Sequence, residues 1–299
     1  MRILNWFECV CTVIDYIEKN LLEDITINDV SNQVNISKFY LQRGFKLMTG
    51  YSISEYIRYR RLYLSALEII NSKEKIIDLA YKYGFETPES FSKAFSRFHG
   101  ISPSQIKNNI KKIKVFLPLK VNITISGGYD MDCIIEKMES FKVIGFEYEV
   151  NFDTSYTEIH KLWDSFSESY LKLLSNGSVP KNDIEKVIQE CTIGEYGVCI
   201  DDIGNNGKFH YMIAGTYHGG EVPQGMKVFE IPQSNWAKFL CVGAMPSALQ
   251  TVNTKIFQEW LPNNSEYSIS MGINIEYYFE GDTSSKDYKS AIWIPITKK

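Results

Sequence analysis

Residues 30–50 read Val30-Ser-Asn-Gln-Val-Asn-Ile-Ser-Lys-Phe-Tyr-Leu-Gln-Arg-Gly-Phe-Lys-Leu-Met-Thr-Gly50, and residues 79–100 read Leu79-Ala-Tyr-Lys-Tyr-Gly-Phe-Glu-Thr-Pro-Glu-Ser-Phe-Ser-Lys-Ala-Phe-Ser-Arg-Phe-His-Gly100. The two stretches carry one pattern. Val30 and Val34 match Leu79 and Tyr83, 49 positions on, whereas Leu41, Phe45, Met48 and Gly50 match Phe91, Phe95, Phe98 and Gly100, 50 positions on. The one extra residue falls in the turn of a helix-turn-helix, which tolerates it. A repeated pattern of this kind is the signature of one supersecondary unit used twice. Two such units on one chain can each offer a second helix to a separate turn of the major groove, about 34 Å apart, without dimerisation.

Working outward, Ile14, Ile17 and Leu21 recur at helical spacing behind Trp6 and Phe7, predicting a first helix that ends near Leu22. Thr26 with Asp29 forms a variant capping box for a helix to Val34, Asn35 is the turn, and Ser37 caps a helix that Gly50 stops. From Ile53 to Ile70 an apolar pattern runs without a breaker and includes Arg58, Arg60 and Arg61; this helix joins the two units. Lys75 to Tyr83 and Pro88 to His99 repeat the pair, with Pro88 suited to a first helical turn.

The frame is consistent with this. A chain of 299 residues with 44% apolar content can supply cores for two domains. No apolar run approaches the roughly 20 residues that span a bilayer. Glu8 near the start and the absence of a small-residue cleavage site argue against a signal peptide, so a cytoplasmic protein is expected. Cys9 and Cys11 point about 200° apart on a helix, and Cys133, Cys191, Cys199 and Cys241 stand without a CxxC. Inert thiols, with neither a disulfide framework nor a metal, are the expectation. The net charge of −4 hides an asymmetry: residues 1–114 carry +5 and residues 115–299 carry −9. The basic half is the one suited to phosphate.

The doubled motif, the joining helix, and the endings Gly84-Phe-Glu-Thr-Pro-Glu-Ser-Phe-Ser-Lys-Ala-Phe95 and Gly100-Ile-Ser-Pro-Ser-Gln-Ile-Lys107 resemble the AraC/XylS family of transcription regulators. The resemblance covers residues 8–107 and implies an all-α double helix-turn-helix domain that binds double-stranded promoter DNA, with RNA polymerase as a candidate partner. In the first recognition helix Lys38, Phe39, Gln42, Arg43 and Lys46 are expected to face away from Leu41, Phe45 and Met48. The resemblance places Phe39, Gln42 and Arg43 on DNA, and chemistry suits Gln42 to adenine and Arg43 to guanine. A solvated face is the plainer reading of the same residues. In the second helix Thr87, Glu89, Ser90, Ser92 and Lys93 fall at the family's contact positions. Two of them depart from the family pattern. Glu89 can only accept hydrogen bonds, and Lys93 stands where arginine is usual and loses the bidentate fork.

Residues 108–114, polar and basic, read as a linker. Beyond them β patterns dominate: Val121 to Ser126, Lys142 to Val150, Cys191 to Ile200 and Phe209 to Tyr217 read as strands, with a helix from Thr154 to Leu174. Strands at Val228–Ile231 and Trp236–Cys241, a helix from Ser247 to Leu261, and strands at Ser268–Phe279 and Ala291–Ile296 repeat the order strand, helix, strand, strand. Two βαββ units predict an antiparallel α+β domain over 115–299 with a cleft between its halves.

Ile134-Ile-Glu-Lys-Met-Glu-Ser-Phe-Lys-Val-Ile-Gly145, Trp163, Glu259-Trp-Leu-Pro262, Glu276-Tyr-Tyr278 and Ile292-Trp-Ile-Pro295 resemble the GyrI-like effector-binding domain. That resemblance implies a cleft with aromatic walls and one carboxylate, here Trp163, Tyr196, Trp236, Trp260 and Tyr278 with Glu276. Such a box selects flat lipophilic cations by stacking, cation-π attraction and charge pairing. Each aromatic alone reads as core before it reads as wall, and Glu276, which alternates with Ile273 and Ile275 and shares a strand face with Asn274 and Tyr278, reads equally as an exposed strand residue. His160, His210 and His218 lack metal spacing, and no Ser-His-Asp set or phosphate loop is visible.

The expectation is therefore a one-component regulator, not an enzyme, with no cofactor and no membrane partner, for which one chain suffices on DNA. Two alternatives stay open. Some GyrI-like proteins resemble small hydrolases that use a pocket glutamate and tyrosine, and the second domain also reads as a protein-binding module.

Overall fold

The computed structural model describes residues 6–121, 131, 133–171, 179–201 and 207–299. The chain forms two compact units. Among the described residues, one holds Trp6–Ile36 and 44–121; the other holds Ser37–Arg43 and those from 131 to 299.

The first unit is helical: α1 (Trp6–Lys19), α2 (Ile27–Val34), the later part of α3 (Lys38–Thr49), α4 (Ile53–Asn71), α5 (Ile76–Lys82) and α6 (Pro88–His99). Their ends are set by local chemistry. The Thr26 hydroxyl accepts from the Asp29 N–H, while the Asp29 carboxylate accepts from the Thr26 N–H, a full capping box. Ser52 and Glu55 repeat the device at α4, and Thr87 and Ser90 at α6, where Pro88 sits in the first turn. Each box satisfies donors that a helix start leaves unpaired. Asn35 ends α2 in the left-handed region at φ 51°, and Gly100 ends α6 at φ 77°.

Leu62, Ala66 and Ile69 of α4 pack with Leu79, Phe91, Phe95 and Phe98 in one core. After α6 the chain makes two short 3₁₀ turns, Pro103–Asn108 and Ile110–Lys112, and Ile113 and Phe116 then pack onto this same core. Arg60 and Arg61 are braces. Arg60 forks onto Glu18 of α1 with two contacts of 2.8 Å, and the Arg61 guanidinium donates to the carbonyls of Leu21 and Glu23.

The second unit is built on a nine-stranded antiparallel sheet: β1 (Cys133–Met138), β2 (Phe141–Asn151), β3 (Tyr196–Ile200), β4 (Lys208–Thr216), β5 (Lys227–Ile231), β6 (Ser234–Val242), β7 (Tyr267–Ile269), β8 (Ile273–Tyr278) and β9 (Lys289–Lys298). The strand order is β1-β6-β9-β8-β3-β4-β2-β5, with β7 also on β9. This order is symmetric about the β8–β3 junction, so β2-helix-β3-β4 in one half corresponds to β6-helix-β8-β9 in the other. The repeat expected from sequence is thus present, and its two halves meet at β3 and β8. Helices α7 (Ser155–Phe166), α8 (Asp183–Glu190) and α9 (Ser247–Lys255) complete the layer; α7 packs on β2 and α9 on β6 and β9.

Four details differ from the sequence reading. The strand expected from Cys191 begins only at Tyr196, because Thr192 and Gly194 take positive φ in a turn after α8, a helix that the strand-like reading passed over. The run 268–279 divides into β7 and β8. The helix expected to reach 174 ends at Phe166 and continues as a π turn through Leu171, and 172–174 lie outside the described residues. Val121 has no regular structure, and the rest of the strand expected to 126 also lies outside them, as does most of the 204–207 turn.

Candidate functional site

The central pair of strands carries the site. Residues directly opposite in an antiparallel pair share a sheet face. Gly197 of β3 lies opposite Glu276 of β8, Cys199 lies opposite both Asn274 of β8 and Tyr211 of β4, and Ile292 of β9 lies opposite Glu276 and Phe239. Gly197, Cys199, Tyr211, Asn274, Glu276 and Ile292 therefore share one face.

Glu276 is 5% exposed. Burying a carboxylate is costly unless it is paired and hydrogen-bonded. Its Oε2 accepts from the Tyr211 hydroxyl and from the Tyr278 hydroxyl, each at 2.9 Å. Tyr211 in turn accepts from the Trp163 indole N–H at 2.7 Å, and the Trp163 ring meets Tyr278 edge-on at 4.7 Å. Burial, then the neighbouring Glu276 charge, push both phenols well above the ordinary tyrosine range. Both stay protonated as donors. Burial likewise raises the Cys199 thiol.

The other oxygen, Oε1, faces Arg43, whose Nη2 stands 3.8 Å away. Arg43 Nη1 also donates to Cys199 Sγ at 3.9 Å, and the guanidinium lies 5.6 Å from the centroid of the Phe39 ring. Phe39 is 1% exposed and packs against Phe152 and Phe209, while its backbone N–H donates to Asp201 at 3.0 Å. Tyr40, fully buried, donates its hydroxyl to the Ile273 carbonyl at 2.6 Å. Residues 37–43, the opening of α3, are thereby part of the sheet unit.

Of the expected pocket residues, Trp163, Tyr278 and Glu276 come together. Trp260 lies on the same face, edge-on to Phe239 at 5.0 Å, two strands from Glu276. Tyr196 and Trp236 do not join them: both belong to the core of the opposite face with Trp293 and Ile275, so they are structural there. Tyr211, Cys199, Asn274 and Gly197 were missed. Alternation along 209–217 flags Tyr211 as one of two faces, but only the β3–β4–β8 register says which.

Of the expected DNA-facing residues, Lys38, Gln42 and Lys46 are half-buried, while Phe39 and Arg43 face the sheet as described. On α6 Glu89 and Lys93 are exposed and Ser92 half-buried; Thr87 and Ser90 are exposed and engaged in the cap. Among the described residues no group of His, Cys, Asp and Glu could hold a metal, and no helix is long and apolar enough to cross a membrane. None of the six cysteines is joined in a disulfide.

Residues 134–296 match the integron-associated effector binding protein family, and residues 30–109 match a helix-turn-helix domain family. The chain belongs to the integron-associated effector binding protein family. Its N-terminal part is AraC-type, and the whole is a DNA-binding transcription regulator with an effector-binding domain. The multiple antibiotic resistance protein MarA of Salmonella typhimurium is 34% identical over 110 residues, covering 36% of this chain and 87% of MarA. The TetD protein of transposon Tn10 from Escherichia coli is 37% identical over 97 residues, covering 32% and 70%. The regulatory protein SoxS of Salmonella typhimurium is 32% identical over 103 residues, covering 34% and 96%. Among solved structures, SAV2435 bound to tetraphenylphosphonium is similar with a TM-score of 0.44 and 22% identity, over 56% of this chain and 94% of that one.

Proposed function

We propose that the face around Glu276 takes a small, flat, lipophilic cation, and that its occupancy sets the affinity of residues 8–107 for promoter DNA. One observation carries the reading: a carboxylate almost removed from water, held by two protonated phenols beside an indole, with its second oxygen turned toward a cation. Such a site rewards charge delocalised over a flat frame, which pairs with the carboxylate and stacks on the rings at small desolvation cost. On DNA, Gln42 and Arg43 are the proposed base readers, with Lys38, Phe39, Lys46, Thr87, Glu89, Ser90, Ser92 and Lys93 around them. A single chain spans the asymmetric site, and RNA polymerase is the partner through which binding would act.

The test is calorimetric titration of the full chain with 1-methyl-4-phenylpyridinium and with its uncharged isostere 4-methylbiphenyl. The cation should bind more tightly, and Glu276→Gln should weaken the cation while leaving the neutral compound within about twofold. Equal losses for both compounds would remove the charge-pairing reading.

A further inference from the structure

We infer that Arg43 is the site's own resident cation: the first recognition helix and a cationic effector compete for Glu276, so effector binding frees α3. The inference rests on the effector reading above and adds its regulation and its ligand chemistry.

Three observations converge. Arg43 is a planar, delocalised cation, its side chain only 13% exposed, set before a carboxylate side chain 6% exposed. It lies among the same aromatic groups that would receive a ligand: Phe39 beneath it, and Tyr211 and Tyr278 on the far oxygen of the shared carboxylate. The contact is anchored one helical turn before Arg43, by the Phe39 N–H on Asp201 and the Tyr40 hydroxyl on Ile273. A recognition helix held this way cannot lay its opening turn in a major groove, because base readout needs the Arg43 fork free at a base edge.

Geometry also limits the strength of the hold. At 3.8 Å the Arg43–Glu276 contact is an ion pair without a hydrogen bond, and the sulfur contact is longer still. A ligand that hydrogen-bonds Oε1 directly gains what Arg43 forgoes. The chemistry this selects is an arylmethyl guanidinium or an aryl amidinium, matching the planar fork of Arg43 and the ring of Phe39 in one molecule.

A site closed by an internal ligand binds an external one with an affinity reduced by its open fraction. If Arg43 occupies the site nine-tenths of the time, removing it tightens external binding about tenfold. The experiment uses the full chain and benzylguanidinium, followed by calorimetry and by hydrogen exchange at the amides of residues 38–43. Arg43→Ala should bind benzylguanidinium about tenfold more tightly than the unaltered chain, with Arg43→Lys between them. The ligand should speed exchange at 38–43 in the unaltered chain, and Glu276→Gln should speed it with no ligand at all. Equal benzylguanidinium affinity in the unaltered chain and Arg43→Ala overturns the competition while leaving the effector reading intact. If no form binds benzylguanidinium yet Glu276→Gln frees 38–43, the Arg43 contact stands and the effector chemistry is wrong. Unchanged exchange in Glu276→Gln overturns the hold itself.

Discussion

Gly197 sits directly across the β3–β8 register from Glu276, and a Cβ placed on it would come within 2.2 Å of the Tyr211 hydroxyl and 3.0 Å of Glu276 Oε2. The site therefore requires a residue without a side chain on the strand beside it. Gly197→Ala should break the Tyr211–Glu276 hydrogen bond, costing about 1 to 3 kcal/mol of stability for the displaced buried groups. Cation affinity should fall with it. Thermal unfolding and the 1-methyl-4-phenylpyridinium titration together check this, and an unaltered titration would show that Tyr211 does not shape the site.

Glu18 and Arg60 tie α1 to the joining helix α4, with Tyr56 donating to the same carboxylate at 2.7 Å. Removing one partner strands a mostly buried guanidinium. Glu18→Gln should lower the stability of the chain by about 3 kcal/mol, read as a shift in the urea midpoint with an unchanged slope. A loss below about 0.5 kcal/mol would class the pair with ordinary surface bridges.

His99 links α6 to α4 and to the segment after it. Its Nε2 stands 3.1 Å from the Leu62 carbonyl and its Nδ1 3.2 Å from the Lys114 N–H, so the neutral ring donates at one nitrogen and accepts at the other. Burial, opposed by the Leu62 carbonyl and aided by Lys114, holds its pKa below the ordinary value of 6.5. The unfolded chain then takes up a proton before the folded one does. Stability is accordingly full above 6.5 and declines as pH falls from there toward the folded value. The difference in melting temperature between the unaltered chain and His99→Gln should change between pH 7.5 and 5.5, with the unaltered chain losing more. A difference constant over that range would contradict the linkage.

Lys93 stands exposed on α6 beside exposed Glu89. If it meets phosphate, Lys93→Ala should weaken binding to all duplexes alike and lower the slope of log K against log salt by about 1. A loss confined to one sequence would make it a base reader.

The helical half was legible because its signals are local. Thr26 with Asp29, Thr87 before Pro88, Asn35 and Gly100 fix helix ends within a few residues of chain, and the apolar period fixes the buried faces. Strands were legible as runs, and alternation put Asn274, Glu276 and Tyr278 on one side. What alternation cannot carry is which face each strand turns toward its neighbour, because a slip of one residue exchanges the faces. Hence Tyr196 and Trp236 were drawn into the site although they lie behind it, and Tyr211, which hydrogen-bonds Glu276, was left out. The contacts of Arg43 were not legible for a different reason: its partners Glu276 and Cys199 are far along the chain, and nothing near Arg43 in sequence points to them.

The central claim is that occupancy at Glu276 is coupled to DNA affinity, since a ligand that binds both forms equally regulates nothing. The direct measurement is the dissociation constant of the full chain for the promoter fragment upstream of its own gene, with and without saturating benzylguanidinium, at fixed salt. The account predicts tighter binding with the cation in the unaltered chain, by about fivefold or more, and no response in Glu276→Gln. The same constant with and without the cation, in a chain shown by calorimetry to bind it, would contradict the account.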